Sequence, residues 1–413
     1  MEDKRLYEQI LGLEAPWHVA SVTMKAKERT IEVEVCVTEG QLWACPECKV
    51  RMHVHGYEKR KWRHLDTCQF ETIIVADVPR VRCETHGTEM VSVPWAERYS
   101  RFTMLFERFA VDVLLETSIL GGCELLGISW SEADGIKQRA VTRGLARKVR
   151  QVPKRVCVDE KSMGSGHNYV TVVLRADAGT KTVVDYIGDG RTAESLSGYW
   201  SMYTQEELTT VEAVAMDMWE PFITATKAGV PGAVEKIVHD PFHIAQHMNN
   251  AVNDVRKAEH RALSAKGDER LKNTKFMFLR AYENIPSYQE ERFSELRSAK
   301  LQTSKAWIIK ELLRDFWASP SVDEATQFLA SWSSWAMRCR LKPVKRVAMM
   351  IKRHLAGVLN FFRHRITNAA AEGFNNLISS LVAKSFGYRN QERFKIDILF
   401  HAGGLDLYPG VAQ

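Results

Sequence analysis

The sequence predicts a multidomain protein of mixed α+β and α/β class: a small metal-ribbon module, a helical bundle, and an α/β core interrupted by a long helical stretch. Three observations carry this prediction. Cysteine and histidine pairs flank a strand-like segment early in the chain. A helix, a short turn and a basic helix follow. Beyond them, apolar strand-like runs end in aspartate, and a late helix start carries a glutamate followed by two asparagines.

The 413 residues suffice for two or three domains with ample core. A 45% apolar fraction with mixed charge is that of a soluble globular protein. No apolar run approaches the roughly 18–20 residues of a membrane span, and Met1-Glu2-Asp3-Lys4-Arg5 carries no signal-peptide pattern. A cytoplasmic protein without a membrane partner is therefore expected. Cys36, Cys68, Cys123, Cys157 and Cys339 are scattered among apolar residues, as buried reduced thiols are.

Cys45-Pro46-Glu47-Cys48 and Cys83-Glu84-Thr85-His86 form two knuckles with 34 residues between them. Three thiolates and one imidazole complete a tetrahedral shell for structural zinc. The apolar alternation from Phe70 to Val78 reads as a strand returning the chain to the first knuckle. His53, His55 and His64 are rival ligands without the paired spacing. Lys59, Arg60, Lys61 and Arg63 surround Trp62, an interleaving of basic and aromatic residues that suggests DNA contact.

From Glu97 to Val149 the periodicity is helical, with Phe102, Leu105, Phe106, Phe109, Val113 and Leu114 on one face. A short helix around Cys123–Leu126 stops at Gly127, and Ser131 is the expected cap of the next helix. That helix carries Lys137, Arg139, Arg143, Arg147 and Lys148, the layout of a helix-turn-helix with a basic recognition helix.

Strand patterns begin at Val156–Val158 and continue at Tyr169–Leu174 and Lys181–Ile187. A helix from Thr192 to about Thr204 leads to strand Val211–Met216, and a last strand is expected at Ala233–Val238. Three strands, a helix, then strand–helix–strand is the order of a ribonuclease-H-like α/β core. Right-handed crossovers then set the first and fourth strands side by side, bringing Asp159 and Asp217 together although 217 − 159 = 58 positions separate them. With Glu372 they make the carboxylate set of a two-metal phosphoryl-transfer site. Asp240, which also ends a strand and precedes His243, is a rival placed in a supporting role, as are Asn375 and Asn376, expected to contact DNA or backbone.

Ala245 to about Phe362 reads as helical and holds 23 Lys+Arg against 12 Asp+Glu over residues 245–365. Trp307, Trp317, Trp332 and Trp335 fit a helical core better than base-stacking platforms. No acidic residue lies between Glu324 and Glu372, while Arg338, Arg340, Lys342, Lys345 and Arg346 cluster there as a phosphate track. Lys384, Arg389 and Arg393 are further phosphate candidates. The expected segments are 1–95 (zinc-binding), 96–150 (helix-turn-helix), 151–245 (core, first part), 246–365 (helical insertion) and 366–413 (core, last part).

In this order the motifs resemble the ISL-three group of bacterial insertion-sequence transposases, within the DDE superfamily. The resemblance rests on Cys45–Cys48, Lys61-Trp62-Arg63-His64-Leu65-Asp66, Cys83–His86, Val158-Asp159-Glu160, Met216-Asp217-Met218, Asp240-Pro241-Phe242-His243, Ala371-Glu372-Gly373-Phe374-Asn375-Asn376 and Gly387-Tyr388-Arg389-Asn390. It spans nearly the whole chain. It departs in having His86 where the family has cysteine, and Ala369 where the family has glycine. The resemblance implies magnesium (or manganese) at Asp159, Asp217 and Glu372, and hydrolysis at an element's end followed by attack of the 3′-hydroxyl on target DNA. It further implies terminal inverted repeats and target duplex as partners, a homodimer or larger working complex, and a bacterial cytoplasmic protein at the nucleoid when bound. A zinc and helix-turn-helix DNA-binding protein without catalysis is the alternative that the residues leave open.

Overall fold

Long alternating strands and capped helices divide the chain into two units in the computed structural model, which describes residues 3–164 and 168–410. One unit is built from Met1–Val149 and Leu399–Gln413, the other from Arg150–Ile398.

The first unit opens with α1 (Asp3–Leu11) and strands β1 (Trp17–Lys25), β2 (Thr30–Val37), β3 (Trp43–Ala44), β4 (Arg51–Met52), β5 (Val54–Thr67), β6 (Phe70–Cys83) and β7 (Gly87–Met90). Four strands run in the order β1-β2-β6-β5, with β7 also on β6, and β3 and β4 pair apart. Alternation along β2 and β6 buries Val33, Val35, Ile74 and Val78 against a tryptophan ladder, Trp43–Trp17–Trp95–Trp62, with ring centroids 4.9–5.3 Å apart. Trp62 is thus core, not an exposed stacking residue. Its basic neighbours are also engaged: Arg63 pairs with Asp66 and Glu71 and lies over Phe106, Arg60 pairs with Glu58, and Lys61 with Glu32. Lys59 is exposed. Among the scattered thiols Cys157 and Cys339 are buried, but Cys68 is exposed, in a turn.

Helices α2 (Met104–Glu116), α3 (Ile119–Leu126) and α4 (Trp130–Arg147) follow in this unit. Gly127 ends α3 at φ 64°, a left-handed conformation that glycine adopts without strain. The cap of α4 is Ser129, in a capping box with Glu132, and not Ser131 as the sequence suggested. A three-residue turn, 127–129, therefore joins α3 to α4.

In the second unit β8 (Arg155–Ser162), β9 (Tyr169–Arg175), β10 (Val183–Asp189), β11 (Ala213–Met216) and β12 (Ile237–His239) form one sheet in the order β10-β9-β8-β11-β12. β8 and β11 are parallel neighbours, as are β11 and β12. The helix expected from Thr192 to about Thr204 stops at Trp200 as α5 (Ala193–Trp200), and a separate α6 (Gln205–Thr209) starts where it was to end; each opens on a threonine capping box. After α7 (Glu220–Gly229), the strand expected at Ala233 begins four residues later, because Gly232 at φ 68° starts the helical turn α8 (Ala233–Lys236). Seven α-helices follow: α9 (Pro241–Ser264), α10 (Lys275–Leu279), α11 (Ser287–Ser298), α12 (Gln302–Phe316), α13 (Val322–Arg338), α14 (Lys342–Arg353) and α15 (Leu355–His364), with a 3-10 turn at Tyr282–Asn284. Their shared core buries Trp307 and Trp332, whereas Trp317 is half-buried and Trp335 is 37% exposed. α16 (Ala369–Lys384) and α17 (Gln391–Ala402) close the chain.

Candidate active site

Pairing brings the two aspartates together. Ala215 lies opposite Cys157 in the parallel β8–β11 register, so two residues on, Asp217 lies level with Asp159. Asp159 and Glu160 sit within β8, which runs on to Ser162, whereas Asp217 directly follows β11. The Glu160 amide donates to Asp159 Oδ1 (2.8 Å) and Asn375 Nδ2 to Oδ2 (2.6 Å). Burial raises the Asp159 pKa, opposed by the Glu160 amide, His243 and Asn375. Asp217 Oδ1 accepts from the Met218 amide (2.6 Å), and Oδ2 lies 3.9 Å from His243 Nδ1.

Helix α16 runs along β8. Cys157 Sγ bonds to Thr367 O (3.7 Å), Asn368 Nδ2 to Val158 O (3.4 Å), and Lys161 Nζ to Asn375 O (3.0 Å) and Ser379 Oγ (2.7 Å). Glu372 is three positions before Asn375, hence on the same helix face as the residue that touches Asp159. Its side chain is exposed, and it forms no tight cluster with the aspartates. Asn375 thus reaches the carboxylate itself rather than backbone or DNA. Asn376 is exposed. Buried Asp240 caps α9 through the Phe242 amide (2.7 Å), and its other oxygen accepts the Asn368 amide. It ties the starts of α9 and α16 together, a supporting position one turn from His243.

The knuckles converge in the first unit. The turn after β3 is closed by Cys45 N–Val50 O (2.8 Å), and Gly87 at φ 74° closes the turn after β6. Cys45, Cys48, Cys83 and His86 lie with their donor atoms all within 4.8 Å. Separations of 3.6 Å (Cys48–Cys83), 3.5 Å (Cys83–His86) and 3.8 Å (Cys45–His86) match the edge of ~3.8 Å set by zinc–sulfur bonds of ~2.3 Å. The His86 amide holds the Cys83 thiol below its ordinary pKa against desolvation, which favours the thiolate that zinc needs. His64 is buried and bonded to Thr103 (2.9 Å), away from this cluster.

The basic residues of α4 are engaged within their own unit, Lys137 buried, Arg143 half-buried and Arg147 exposed. Arg139 and Arg143 both pair with buried Glu107, and Arg143 also with Glu97. Arg147 bonds to Asp406 and to Tyr408 O, while Lys137 is 4% exposed beneath the Phe400 ring. These four were expected to read DNA; here they build the module. In the other unit Arg338, Arg340, Lys342 and Arg346 are exposed and Lys345 is half-buried. Lys384 and Arg389 are exposed at the end of α16 and beyond it. Periodicity and spacing passed over Arg191, whose guanidinium carbon lies over the Tyr169 ring and over the Trp219 ring. The signal was Trp219, an aromatic two positions beyond a strand-end aspartate.

Comparison with known proteins agrees part by part. The transposase model of the ISL3 family matches residues 156–398. The zinc-finger of transposase IS204/IS1001/IS1096/IS1165 matches 41–86, and the helix-turn-helix domain of transposase family ISL3 matches 91–141. A transposase domain joined to these two modules defines a DNA-transposition enzyme. The chain belongs to the ISL3 family of transposases. It is 25% identical to the transposase for insertion sequence element IS1557 of Mycobacterium tuberculosis strain H37Rv, over 99% of this chain and 98% of that protein. It is likewise 25% identical to the transposase for insertion sequence element IS1001 of Bordetella parapertussis, over 96% of this chain and 98% of that one.

Proposed function

We propose that this transposase binds the terminal inverted repeats of its insertion sequence and cuts and joins DNA strands at Asp159, Asp217 and Glu372. The observation that carries the reading is the level placement of Asp159 and Asp217 on adjacent parallel strands, with the Glu372 helix docked on the first of them. The strand order β10-β9-β8-β11-β12 supports a ribonuclease-H-like core, into which α9–α15 are inserted. On this reading residues 1–95 are a zinc-binding module, 96–150 the helix-turn-helix DNA-binding region, 151–245 and 366–413 the core, and 246–365 the insertion.

The carboxylates are hard oxygen donors suited to magnesium or manganese. Bound there, the metal would supply Lewis-acid activation of the attacking oxygen and neutralise charge at the scissile phosphate. The chain's own residues hold the site in shape. Asn375 and the Glu160 amide fix both oxygens of Asp159, so its orientation is set in advance. His243 stands beside Asp217 as a partner for that carboxylate or for a phosphate oxygen. Asp240 holds the start of α16, and therefore Glu372, relative to α9. Zinc at Cys45, Cys48, Cys83 and His86 would brace the ribbon. Exposed Lys59, Arg338, Arg340, Lys342, Arg346, Lys384 and Arg389 are the proposed phosphate contacts, and joining two ends requires at least a dimer.

The test is cleavage and joining of labelled duplex carrying the element's end, with magnesium, by wild type and Asp217→Ala. Joined products that vanish in the variant are expected. Tight binding by the wild type without any cleavage would instead assign the chain to the non-catalytic DNA-binding alternative.

A further inference from the structure

Arg191 occupies the strand-end edge of the sheet, yet no step above uses it. Its guanidinium carbon lies 4.2 Å from the Tyr169 ring centroid and 4.9 Å from that of Trp219. Its Nη1 donates to Glu160 Oε1 (3.0 Å), and its carbonyl accepts the Trp219 indole N–H (2.9 Å). One partner is thus the residue after Asp159, and the other lies two residues after Asp217. Arg191 ties together the two segments that carry the aspartates. Its side chain remains 34% exposed, and Trp219 is 37% exposed.

Ring stacking fixes the plane of a guanidinium without consuming its N–H groups, which radiate in that plane. Glu160 takes one of five donors. A planar, preoriented and partly exposed fork beside an acidic site is suited to the two oxygens of a phosphodiester. It also answers an electrostatic need, because the edge that must admit a polyanion carries Asp159, Glu160 and Asp217. Other nearby charges are satisfied elsewhere: Asp189 pairs with Lys395 (2.6 Å) and accepts from Gln391 (2.8 Å).

We infer that Arg191 is a phosphate clamp for the DNA strand entering this site, held in plane by Tyr169 and Trp219 and kept in register by Glu160. The inference rests on the transposase reading for the identity of the ligand. On DNA entry a backbone phosphate shares or replaces Glu160 as the partner of the guanidinium.

The experiment uses full-length protein and a fluorescein-labelled mixed-sequence duplex, with affinity measured across a salt series and cleavage followed on end-bearing duplex. Arg191→Ala should make the slope of log affinity against log salt about one unit shallower. It should also slow cleavage by roughly 10²-fold, as losing one oriented donor does. Arg191→Lys keeps the charge but not the stacked fork, so it should restore the salt slope while leaving cleavage impaired. An unchanged salt slope in an Arg191→Ala protein whose Tm matches wild type would overturn the clamp and leave the transposase reading standing. Wild-type protein that binds duplex and cleaves none would remove the transposase reading, with the clamp still judged by the salt slope.

Discussion

Asn375 and His64 show how single buried contacts set measurable properties. Among the described residues Asn375 donates a side-chain hydrogen bond to Asp159. Its replacement by alanine should reduce cleavage by about 10-fold or more, the usual cost of losing a partner behind a metal-binding carboxylate, with Tm little changed. His64 is 3% exposed, and burial holds its pKa down to about 4. A folded-state pKa below the unfolded value of ~6.5 means that the unfolded chain takes up the proton first. The contribution to stability is therefore intact above ~6.5 and is lost as pH falls from there toward 4, a swing on the order of 3 kcal/mol. Denaturation followed by tryptophan fluorescence at pH 7 and pH 5 should show this loss. His239, buried to a similar pKa, adds its own dependence in the second unit, so His64→Asn should flatten only part of the profile.

Among the helices, α2 and α4 are joined through Glu107, which accepts from Ser100, Arg139 and Arg143 while 1% exposed. Removing one member of such a buried set leaves uncompensated charge, so Glu107→Ala should cost roughly 3–5 kcal/mol, read as a lowered Tm. Arg139→Ala and Arg143→Ala should also lose stability before they lose DNA affinity, the reverse of what surface DNA contacts would do. For the ribbon, chelation should release close to one zinc per chain and expose β3–β7 to protease, and Cys83→Ser should do the same without chelator. The knuckles were legible in the sequence because ligand spacing is local. The cap of α4 was misplaced by two residues because Ser129 and Ser131 both precede a helical run, and only Ser129 has Glu132 at the reciprocal position. The basic face of α4 was misread because its partners are remote: Glu107 is 36 positions from Arg143, and the Leu407 carbonyl is 264.

Across the chain as a whole, the same distinction between local and remote information decides what could be foreseen. The parallel pairing that brings the two aspartates level and the glutamate helix follow from periodicity and crossover handedness, although Asp159 lies inside β8 and not at its end. The late start of β12 and the contact of Arg191 with Glu160 and Tyr169 depend on conformations and remote contacts that local patterns do not record. Least foreseeable was the last described segment, which packs into the first unit. Arg147 holds Asp406 and Tyr408 O, the Tyr408 hydroxyl bonds to Asp112 (2.6 Å), and Leu405 lies so close over Gly144 that a Cβ there would come within 2.7 Å of it. Deleting residues from Leu405 onward should destabilise this unit by on the order of 3 kcal/mol, visible as faster proteolysis of residues 100–149. During translation, the entire second unit emerges from the ribosome between the helix-turn-helix and the segment that closes over it. A nascent or prematurely terminated chain therefore carries a helix-turn-helix module that lacks the contacts of Leu405, Asp406 and Tyr408.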